Sequence, residues 1–311
     1  MYGQENEQMK QMPLIVCDNL VKIYKTKGLE VMALQGLDIT INAGEMIAIV
    51  GNSGSGKTTF LNMIGGLDKP TAGRLYVDGQ NLFTMNNADL VNYKKKTVGF
   101  IWQNNARNLL PYLTAFQNIQ LPMLLNDAEK KEERALKLLE LVGLSDKKDR
   151  KLSQLSGGEQ QRAAIAIAIA NNPKILLADE PTGSVDAKTG NHILDIFRKI
   201  NKEENTTVII VTHNPELADK VTRIVSIRDG KTSSEKIMKE SYRRRLQDVK
   251  LFSQIDDDKE PIPFKHEEYA ILDRFGRVQI PADMLEELGI KSQRVKMQCE
   301  NGRIIITPEN Y

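Results

Sequence analysis

The chain has 311 residues, of which 41% are hydrophobic and 27% are charged, and these values suit a globular protein with one large domain and one small one. A formal net charge of +2 creates no strong overall field that would attract nucleic acid or acidic membranes. The cysteines Cys17 and Cys299 stand far apart in sequence, so they indicate neither a metal-ligand spacing nor a disulfide framework, and they fit a reducing cytosol.

The sequence pattern contains no segment typical of insertion into a membrane. The N-terminal residues are polar and lack the apolar region of a secretory signal. No stretch approaches about 18 consecutive apolar residues, the usual length of a membrane-spanning helix. If the protein acts at a membrane, we therefore expect a partner that spans it.

Short apolar runs alternate with helical patterns as far as Gly230. Such runs are typical of strands buried on both faces, and their alternation with helices predicts an α/β sheet wound on both sides. The predicted strands cover residues 46–50, 175–178, 208–211 and 224–227, and two of the predicted helices cover residues 128–142 and 192–203.

The pattern changes beyond Gly230. Residues 236–250 predict a helix with six basic and two acidic residues, a net charge of +4. A solvated charged face is the simpler interpretation, although such a helix could contact anionic lipid or nucleic acid. Residues 252–268 are acidic and contain prolines, which indicates a linker, and a compact unit begins near Tyr269.

The predicted strand 46–50 is followed by GNSGSGKT, which fits the pattern G-x-x-x-x-G-K-[ST]. Glycines let the backbone turn its N–H groups toward a phosphate, and the following helix adds its positive N-terminal dipole. We expect Lys57 to reach the β- and γ-phosphates and the Thr58 hydroxyl to bind Mg²⁺. The predicted nucleotide-binding residues here are Gly51, Asn52, Ser53, Gly54, Ser55, Gly56, Lys57, Thr58 and Thr59.

A second candidate anion site lies in LSGGEQQR, residues 155–162. Ser156 and Glu159 form the S-x-x-E capping box of a helix. Gly157 and Gly158 lack side chains, so an anion could approach the helix start closely. An ordinary capped helix is the alternative. A second phosphate-binding helix makes most sense if it serves the nucleotide of a neighbouring subunit.

Carboxylates and a histidine follow two further predicted strands. The segment ILLADEPTGSVD, residues 175–186, ends its apolar run at Asp179 and Glu180. We expect Asp179 to hold Mg²⁺, usually through water, and Glu180 to act as general base for the attacking water. His213 follows the strand 208–211 and could contact the γ-phosphate; a core histidine is the alternative.

The motif order GNSGSGKT, LSGGEQQR, ILLADEP, TH resembles that of the ABC ATPase family. The resemblance implies ATP and Mg²⁺ as cofactors, a P-loop core with a mixed sheet and an antiparallel β edge, and a helical subdomain. It also implies a head-to-tail homodimer with two ATPs between the subunits, in which Ser156 and Gly158 act on the partner's γ-phosphate. We expect a tail at 1–13, the ATPase domain at 14–236 with its helical subdomain at about 102–172, a basic helix and linker at 237–268, and a C-terminal domain at 269–311.

The resemblance assigns three more positions. Tyr24 matches the aromatic residue that stacks on adenine, and a plain surface-strand tyrosine is the alternative. Gln103 matches the glutamine that contacts Mg²⁺ or its water and senses the permease, and a polar loop residue is the alternative. Asp186 matches the aspartate of the loop that crosses the dimer interface, and a turn residue is the alternative.

The segments VMALQGLDITINAGE, NLLPYLT, LPMLL and LLADEPTGSVD resemble the lipoprotein-release, macrolide-export and peptide-antibiotic-resistance group. This implies a motor subunit on the cytoplasmic face of the membrane that couples ATP-driven closure to an integral-membrane permease. Ile167 departs from the group, where many members carry arginine. A DNA-repair type of ABC ATPase would carry a long coiled-coil or zinc insert between the cradle and LSGGE, and the sequence has none.

Residues 270–307 predict a small β-β-α-β-β unit, with a hairpin turn at Asn301-Gly302. LDRFGRVQIP, ELGI and ENGRIIITP resemble the AbrB/SpoVT-like swapped-hairpin domain, which dimerises by interleaving hairpins. Leu285 stands where many members carry an arginine, and residues 265–311 contain seven basic and eight acidic residues. We therefore expect dimerisation or regulation here, and DNA binding by a regulator is the alternative.

Overall fold

The computed structural model of the protein describes residues 13–26, 28–103, 108–126, 130–183, 185–239, 266–272, 276–280, 282–290, 295–300 and 302–308. Within these ranges, no helix is both long enough and apolar enough to cross a bilayer.

A small antiparallel sheet opens the fold. It has the strand order β2-β1-β4-β5, and its two long members form a hairpin whose register shifts at several bulges. The inward residues of this sheet, such as Leu20, Leu34 and Leu75, are apolar and buried, whereas its outward residues include both polar side chains and exposed apolar ones such as Val31 and Met32. The four strands are β1 (Ile15–Thr26), β2 (Leu29–Ile41), β4 (Ala72–Val77) and β5 (Gln80–Asn81).

The main sheet has seven strands in the order β11-β10-β9-β3-β8-β7-β6. The five strands from β9 to β6 in this order pair in parallel, and β10 and β11 add to the other edge in antiparallel orientation. The mixed sheet expected from the sequence is thus confirmed. The strands are β3 (Met46–Val50), β6 (Val98–Ile101), β7 (Ile175–Asp179), β8 (Thr207–Val211), β9 (Arg223–Arg228), β10 (Lys231–Met238) and β11 (His266–Ala270).

Helices cover both faces of the main sheet, and three of them fall in the expected helical subdomain. Those three are α3 (Ala115–Leu124), α4 (Lys131–Leu141) and α5 (Gly157–Ala168). Ile167, the departure noted in the sequence, packs half-buried against the core on this side. The other helices are α1 (Lys57–Ile64), α2 (Asn87–Lys96), α6 (Ala187–Glu203), the single turn α7 (Pro215–Ala218) and α8 (Ala282–Glu287).

Two hydrophobic cores lie on opposite faces of the main sheet. Successive residues of a strand point to opposite faces, so Met46 and Ala48 join the core beneath α5 and α6, whereas Ile47 and Ile49 join the core beneath the antiparallel sheet. The side chains of β7 and β8 alternate between the two cores in the same way. This explains their uninterrupted apolar sequences, because both faces of each strand are buried.

Two expectations about the end of this domain are wrong. Residues 236–238, expected in a basic helix, belong to β10, whose residues Ser234 and Met238 are buried while Lys236 is not. Residues 266–268, expected in a linker, belong to β11. Backbone pairing with β10 and ion pairs such as Lys236–Glu268, at 3.3 Å, hold this polar strand in place. The rest of the expected basic helix, residues 240–250, lies outside the described residues.

The C-terminal residues form small elements. Leu272 and Val278 make an isolated antiparallel bridge, α8 follows, and β12 (Val295–Glu300) pairs with β13 (Arg303–Pro308) in a two-stranded hairpin. Gly302 in its turn has φ of +73°, as a tight hairpin requires. Of the expected first pair of strands, the described residues contain only the bridge.

Arg223 ties the two sheets together. From β9 its guanidinium donates to the Glu235 carboxylate at 2.7 Å, to the Glu45 carboxylate at 3.0 Å and to the carbonyl oxygen of Thr40 in β2 at 2.8 Å. Its side chain is only 17% exposed. Removing the guanidinium would leave two half-buried carboxylates without their cation.

We therefore expect Arg223→Ala to lower the free energy of unfolding in urea by roughly 3 kcal/mol, because stranded buried charges are costly. The matched control is Lys137→Ala, which removes a pair to Glu133 in which both side chains are more than half exposed. That variant should change stability little. Equal effects of the two variants would contradict the bridging role of Arg223.

Candidate functional site

The glycine-rich loop, residues 51–56, connects β3 to α1 and lies directly against the backbone of two other strands. A Cβ atom on Gly51 would lie 2.2 Å from the carbonyl oxygen of Ile227, and one on Gly56 would lie 2.5 Å from that of Ala33. Gly56 also has φ of +103° and immediately precedes Lys57, the first residue of α1. The tight turn presents the N–H groups of the first helical turn, which have no partners within the helix.

Lys57 lies buried against the loop that it follows. Its Nζ donates to the carbonyl oxygens of Gly51 at 2.8 Å and of Asn52 at 2.9 Å. Burial lowers the pKa of Lys57, and the carboxylates of Glu180 and Asp179 act against that shift. The ammonium is therefore held within the turn of the loop, in the field of two carboxylates.

The remaining loop residues surround this lysine. Asn52, Ser53 and Gly54 are exposed to solvent. Ser55 is buried, and its hydroxyl has no hydrogen-bond partner among the described residues. Its carbonyl oxygen accepts the N–H of Gly230 at 3.1 Å, which fixes the loop to the turn after β9.

Thr58 and Asp179 meet beside the loop. The Thr58 hydroxyl donates to Oδ1 of Asp179 at 3.3 Å, across 121 residues of sequence. Asp179 ends β7 and is 6% exposed. Burial raises its pKa, the Glu180 charge adds to the shift, and the Thr58 bond and Lys57 oppose it. A hydroxyl and a carboxylate are hard oxygen ligands, so this pair fits a Mg²⁺ ion bound together with phosphates and water.

Glu180 lies one residue beyond β7 and contacts His213, two residues beyond β8. Its Oε1 is 2.7 Å from Nδ1 of His213, and its Oε2 accepts the Thr212 hydroxyl at 3.3 Å. Glu180 has φ of +48°, and its N–H donates to the carbonyl oxygen of Val211 at 2.9 Å. A non-glycine residue held in this region is strained, a feature that clusters at active sites. The Glu180 side chain is 12% exposed, whereas that of His213 is 71% exposed.

The capping box expected in LSGGEQQR is confirmed. The Ser156 side chain accepts the N–H of Glu159 at 3.3 Å, and the Glu159 carboxylate accepts the N–H of Ser156 at 2.8 Å. That backbone bond is the main reason why the pKa of Glu159 is lowered. The start of α5 is therefore ordered by its own sequence.

The two glycines of this motif have different surroundings. A Cβ atom on Gly157 would meet nothing within 4 Å, so the helix start is open there. A Cβ atom on Gly158 would lie 2.7 Å from Cγ2 of Thr189, a residue in the first turn of α6. Within one subunit, Gly158 is thus required by packing against α6, a reason that the local motif did not reveal.

Asp186 is the N-cap of α6. It accepts the N–H of Thr189 at 3.0 Å and the Thr189 hydroxyl at 2.7 Å. These bonds lower the pKa of Asp186. Through Thr189, the starts of α5 and α6 are in contact.

Tyr24 and Gln103 lie on two other elements, the β1–β2 hairpin and the loop after β6. Tyr24 is 39% exposed near the tip of the β1–β2 hairpin, opposite Val31, and its hydroxyl donates to Oδ2 of Asp68 at 2.8 Å. Gln103 is exposed after β6 and, among the described residues, makes no hydrogen bond with Thr58 or Asp179.

The structure thus brings together Lys57, Thr58, Asp179, Glu180 and His213 at the carboxyl ends of β3, β7 and β8. Ser156, Glu159 and Asp186 form a second group at the starts of α5 and α6. The sequence did not single out Thr212 or Thr189, which hold members of these groups. A polar residue directly after an apolar strand, and a threonine three residues after a capping aspartate, were the available signals.

The family model described as ABC transporter matches residues 34–183. An uncharacterized ABC transporter ATP-binding protein of Thermotoga maritima is 46% identical over 212 residues, which are 68% of this chain and 89% of that protein. Another, MJ0796 of Methanocaldococcus jannaschii, is 41% identical over 228 residues, which are 71% of this chain and 96% of that protein. The chain belongs to the family of ABC transporter ATP-binding proteins.

Solved structures agree with this membership. A dimeric structure of MJ0796, a bacterial ABC transporter cassette, has a TM-score of 0.67 and 40% identity, over 72% of this chain and 98% of that one. A dimeric post-hydrolysis state of MJ0796 bound to ADP and Pi has a TM-score of 0.66 and 39% identity, over the same shares. The expected ABC cassette fold is therefore confirmed, and the chain is an ATP-binding and ATP-hydrolysing subunit of this family.

The raised pKa of Asp179 predicts that this carboxylate reduces the stability of the nucleotide-free ABC subunit. The folded state holds the proton to higher pH than the unfolded state, so the contribution to stability falls as pH rises from the ordinary value through the raised folded pKa. We expect Asp179→Asn, measured by urea unfolding in EDTA, to be more stable than wild type at pH 7, with the difference vanishing below about pH 4.

The control is Asp186→Asn, at a carboxylate whose pKa shift has the opposite sign. The pKa of Asp186 is lowered, so its contribution is present above the ordinary pKa and is lost as pH falls. Asparagine also caps helices, so this variant should show a small effect and no gain at pH 7. A loss of stability in Asp179→Asn at pH 7 would show that burial does not dominate there.

Proposed function

We propose that two copies of this chain form a head-to-tail, ATP-closed dimer that drives an integral-membrane permease from the cytoplasmic face. The observation that carries the proposal is the meeting of the glycine-rich loop, the Thr58–Asp179 pair and the Glu180–His213 pair at one edge of the sheet. The dimeric cassettes of the related MJ0796 support the assembly.

We assign the binding roles as follows. Lys57 and the backbone N–H groups of residues 51–59 bind the phosphates, and Tyr24 stacks on adenine. Thr58 and Asp179 hold Mg²⁺, directly or through water, with Gln103 contributing from the loop after β6. When bound, the ion neutralises charge on the β- and γ-phosphate oxygens.

The hydrolytic roles fall to Glu180 and His213. Glu180 orients the attacking water and accepts its proton, as a carboxylate within hydrogen-bond reach can. Nδ1 of His213 lies 2.7 Å from Oε1 of Glu180, and for its Nε2 to donate to the γ-phosphate at the same time both ring nitrogens must carry a proton. Thr212 and the backbone bond to Val211 hold Glu180 in its strained conformation, so it is oriented before ATP arrives.

We assign the start of α5 to the partner's nucleotide. The capping box orders this helix start, and the open space at Gly157 lets an anion approach its N–H groups. Ser156, Gly157, Gly158 and Glu159 would contact the partner's γ-phosphate side. Asp186 lies beside them through Thr189 and would cross the interface.

The permease would dock on the helical subdomain near Gln103. Exposed apolar side chains there support a docking surface: Tyr112 is 66% exposed, Leu124 is 48% exposed and Leu125 is 63% exposed. The segments quoted above point to the lipoprotein-release, macrolide-export and peptide-antibiotic-resistance group, and hence to export or mechanotransmission of a peptide, lipid or antibiotic type of cargo.

We further propose that the C-terminal elements are an AbrB-like dimerisation or regulatory module. Met297 on β12 is 61% exposed and Ile304 on β13 is 70% exposed, and a two-stranded hairpin by itself is at best marginally stable. A hairpin of a second copy would cover these side chains. The near balance of basic and acidic residues counts against DNA as the partner.

We expect Glu180→Gln to retain ATP binding, to accumulate as a closed dimer and to lose nearly all turnover. Glutamine keeps the size of the side chain but cannot accept the proton of the attacking water. Turnover is measured with purified protein, and dimer formation by light scattering with MgATP. Wild-type turnover in this variant would exclude Glu180 as the base.

The same variant tests the transport role. Tagged Glu180→Gln is recovered from native membranes with MgATP, and the bound proteins are identified. A polytopic permease in stoichiometric amount supports the proposed coupling. Recovery of DNA without a membrane protein would overturn it and favour the regulator alternative.

We expect truncation after residue 271 to weaken dimerisation at low protein concentration without ATP. This boundary keeps β11 in the main sheet, so the ATPase domain loses no strand. A point variant, Ile304→Glu, should have the same effect, because it places a charge on the exposed hairpin face. Val91→Glu, which places the same charge on an exposed apolar position of α2, is the control. Unchanged sedimentation of both C-terminal variants would refute a dimerising hairpin.

A further inference from the structure

The hydroxyl of Tyr24 is tied to the helix that follows the glycine-rich loop. It donates to Oδ2 of Asp68 at 2.8 Å, in the turn that follows α1. The ring is therefore held through its polar end. One face of the aromatic side chain can remain open while the side chain keeps a fixed position.

A lysine completes this arrangement. Lys22 Nζ lies 2.6 Å from Oδ1 of Asp68 and 2.9 Å from the carbonyl oxygen of Lys69, and it is 4.7 Å from the centroid of the Tyr24 ring. The Lys22 side chain is only 11% exposed. Lys22, Tyr24 and Asp68 thus form a closed triangle, with an ammonium over the ring at cation–π distance.

Asp68 lies just beyond the C-terminal end of α1, which ends at Ile64. The chain turns back after this helix, and the N–H groups of Leu67 and Asp68 donate to the carbonyl oxygen of Asn62 at 2.9 Å and 3.3 Å. Because the other end of α1 begins at Lys57, the position of the Tyr24 ring is fixed relative to the phosphate-binding loop by one rigid helix.

The charge state of Asp68 suits a residue that accepts hydrogen bonds from both Lys22 and Tyr24. Burial alone would raise the pKa of this carboxyl, but its bonds from Lys22, Tyr24 and the N–H of Lys69 outweigh burial and hold the pKa below the ordinary value. Asp68 is therefore ionised at neutral pH and serves as an acceptor for both neighbours.

We propose that Asp68 and Lys22 are positioning residues for the base of ATP, which set the affinity for the nucleotide by holding the Tyr24 ring at a fixed distance from the phosphate loop. A ring that is already ordered loses less freedom when the base stacks on it. The inference rests on the proposed stacking of adenine on Tyr24. It adds two residues that no local motif contains.

The test compares steady-state ATP hydrolysis by Asp68→Ala and Tyr24→Phe with that of the wild type. Each variant should raise KM for ATP about 3- to 10-fold with kcat changed less than about twofold, because each breaks the hydrogen bond between the Tyr24 hydroxyl and Asp68. The double variant should be no worse than either single one. Asp68→Asn keeps an oxygen acceptor for the Tyr24 hydroxyl, so its KM for ATP should rise less than that of Asp68→Ala.

Two controls separate positioning from damage to α1. Inhibition by magnesium tripolyphosphate, which has no base, should be unchanged in Asp68→Ala. Glu30→Ala removes an ion pair of 2.8 Å with Lys25 on the same hairpin without touching the Tyr24 ring, and it should leave KM unchanged.

The possible outcomes separate the anchoring of the Tyr24 ring from the stacking of adenine on it. If Tyr24→Ala raises KM while Asp68→Ala and Tyr24→Phe do not, the ring stacks but needs no anchor, and the inference is wrong. If Asp68→Ala weakens the binding of tripolyphosphate as much as that of ATP, Asp68 acts on the phosphate loop. That result also overturns the inference. If Tyr24→Ala leaves KM unchanged, adenine stacking itself fails, and the inference fails with it.

Discussion

The geometry of the nucleotide site depends on the pairing of one residue, Val211, with both of its neighbours in the parallel sheet. Val211 pairs with Ile49 of β3 on one side and with Asp179 of β7 on the other. The glycine-rich loop, Glu180 and His213 begin one or two residues beyond this row. A shift of one residue in any of the three strands would move its functional group by about 3.3 Å and turn its apolar residues to the other core.

Val211 also holds the backbone of Glu180 in a strained conformation. The carbonyl oxygen of Val211 accepts the N–H of Glu180, whose backbone is in the left-handed region. Burial raises the pKa of Asp179 and lowers that of Lys57, so both groups are held in surroundings that disfavour their charges. A fully buried sheet can support such strain, because its stability comes from two hydrophobic cores and does not depend on the site.

The parts of the fold that could be predicted from the sequence are those in which local chemistry and burial agree. Strand β3 was expected at residues 46–50 and is found there, and the capping box at Ser156 forms as its spacing predicts. Strands β10 and β11 escaped prediction, because their charged residues resemble a helix or a linker. Strand β10 pairs with β9 through the short turn at Asp229 and Gly230, whereas β11 is held by pairing with β10 across nearly thirty intervening residues. In the site, too, the residues within local motifs could be predicted and the long-range contacts could not. The motifs identify Lys57, Asp179 and Glu180, but the contact between Lys22 and Asp68 joins positions 46 residues apart and leaves no local pattern.

The aromatic pair at the end of β6 gives this protein an intrinsic optical signal. The chain contains one tryptophan, and the ring of Trp102 lies 4.1 Å from that of Phe100 at a tilt of 32°. Its backbone N–H bonds to the Asn108 side chain at 3.1 Å, so the indole sits at the base of the loop that carries Gln103. Indole emission is sensitive to neighbouring rings and to water. With excitation that selects indole over the eight tyrosines, the fluorescence of the whole chain therefore comes from one point at the end of β6, and unlabelled protein in a stopped-flow instrument can report changes around that ring.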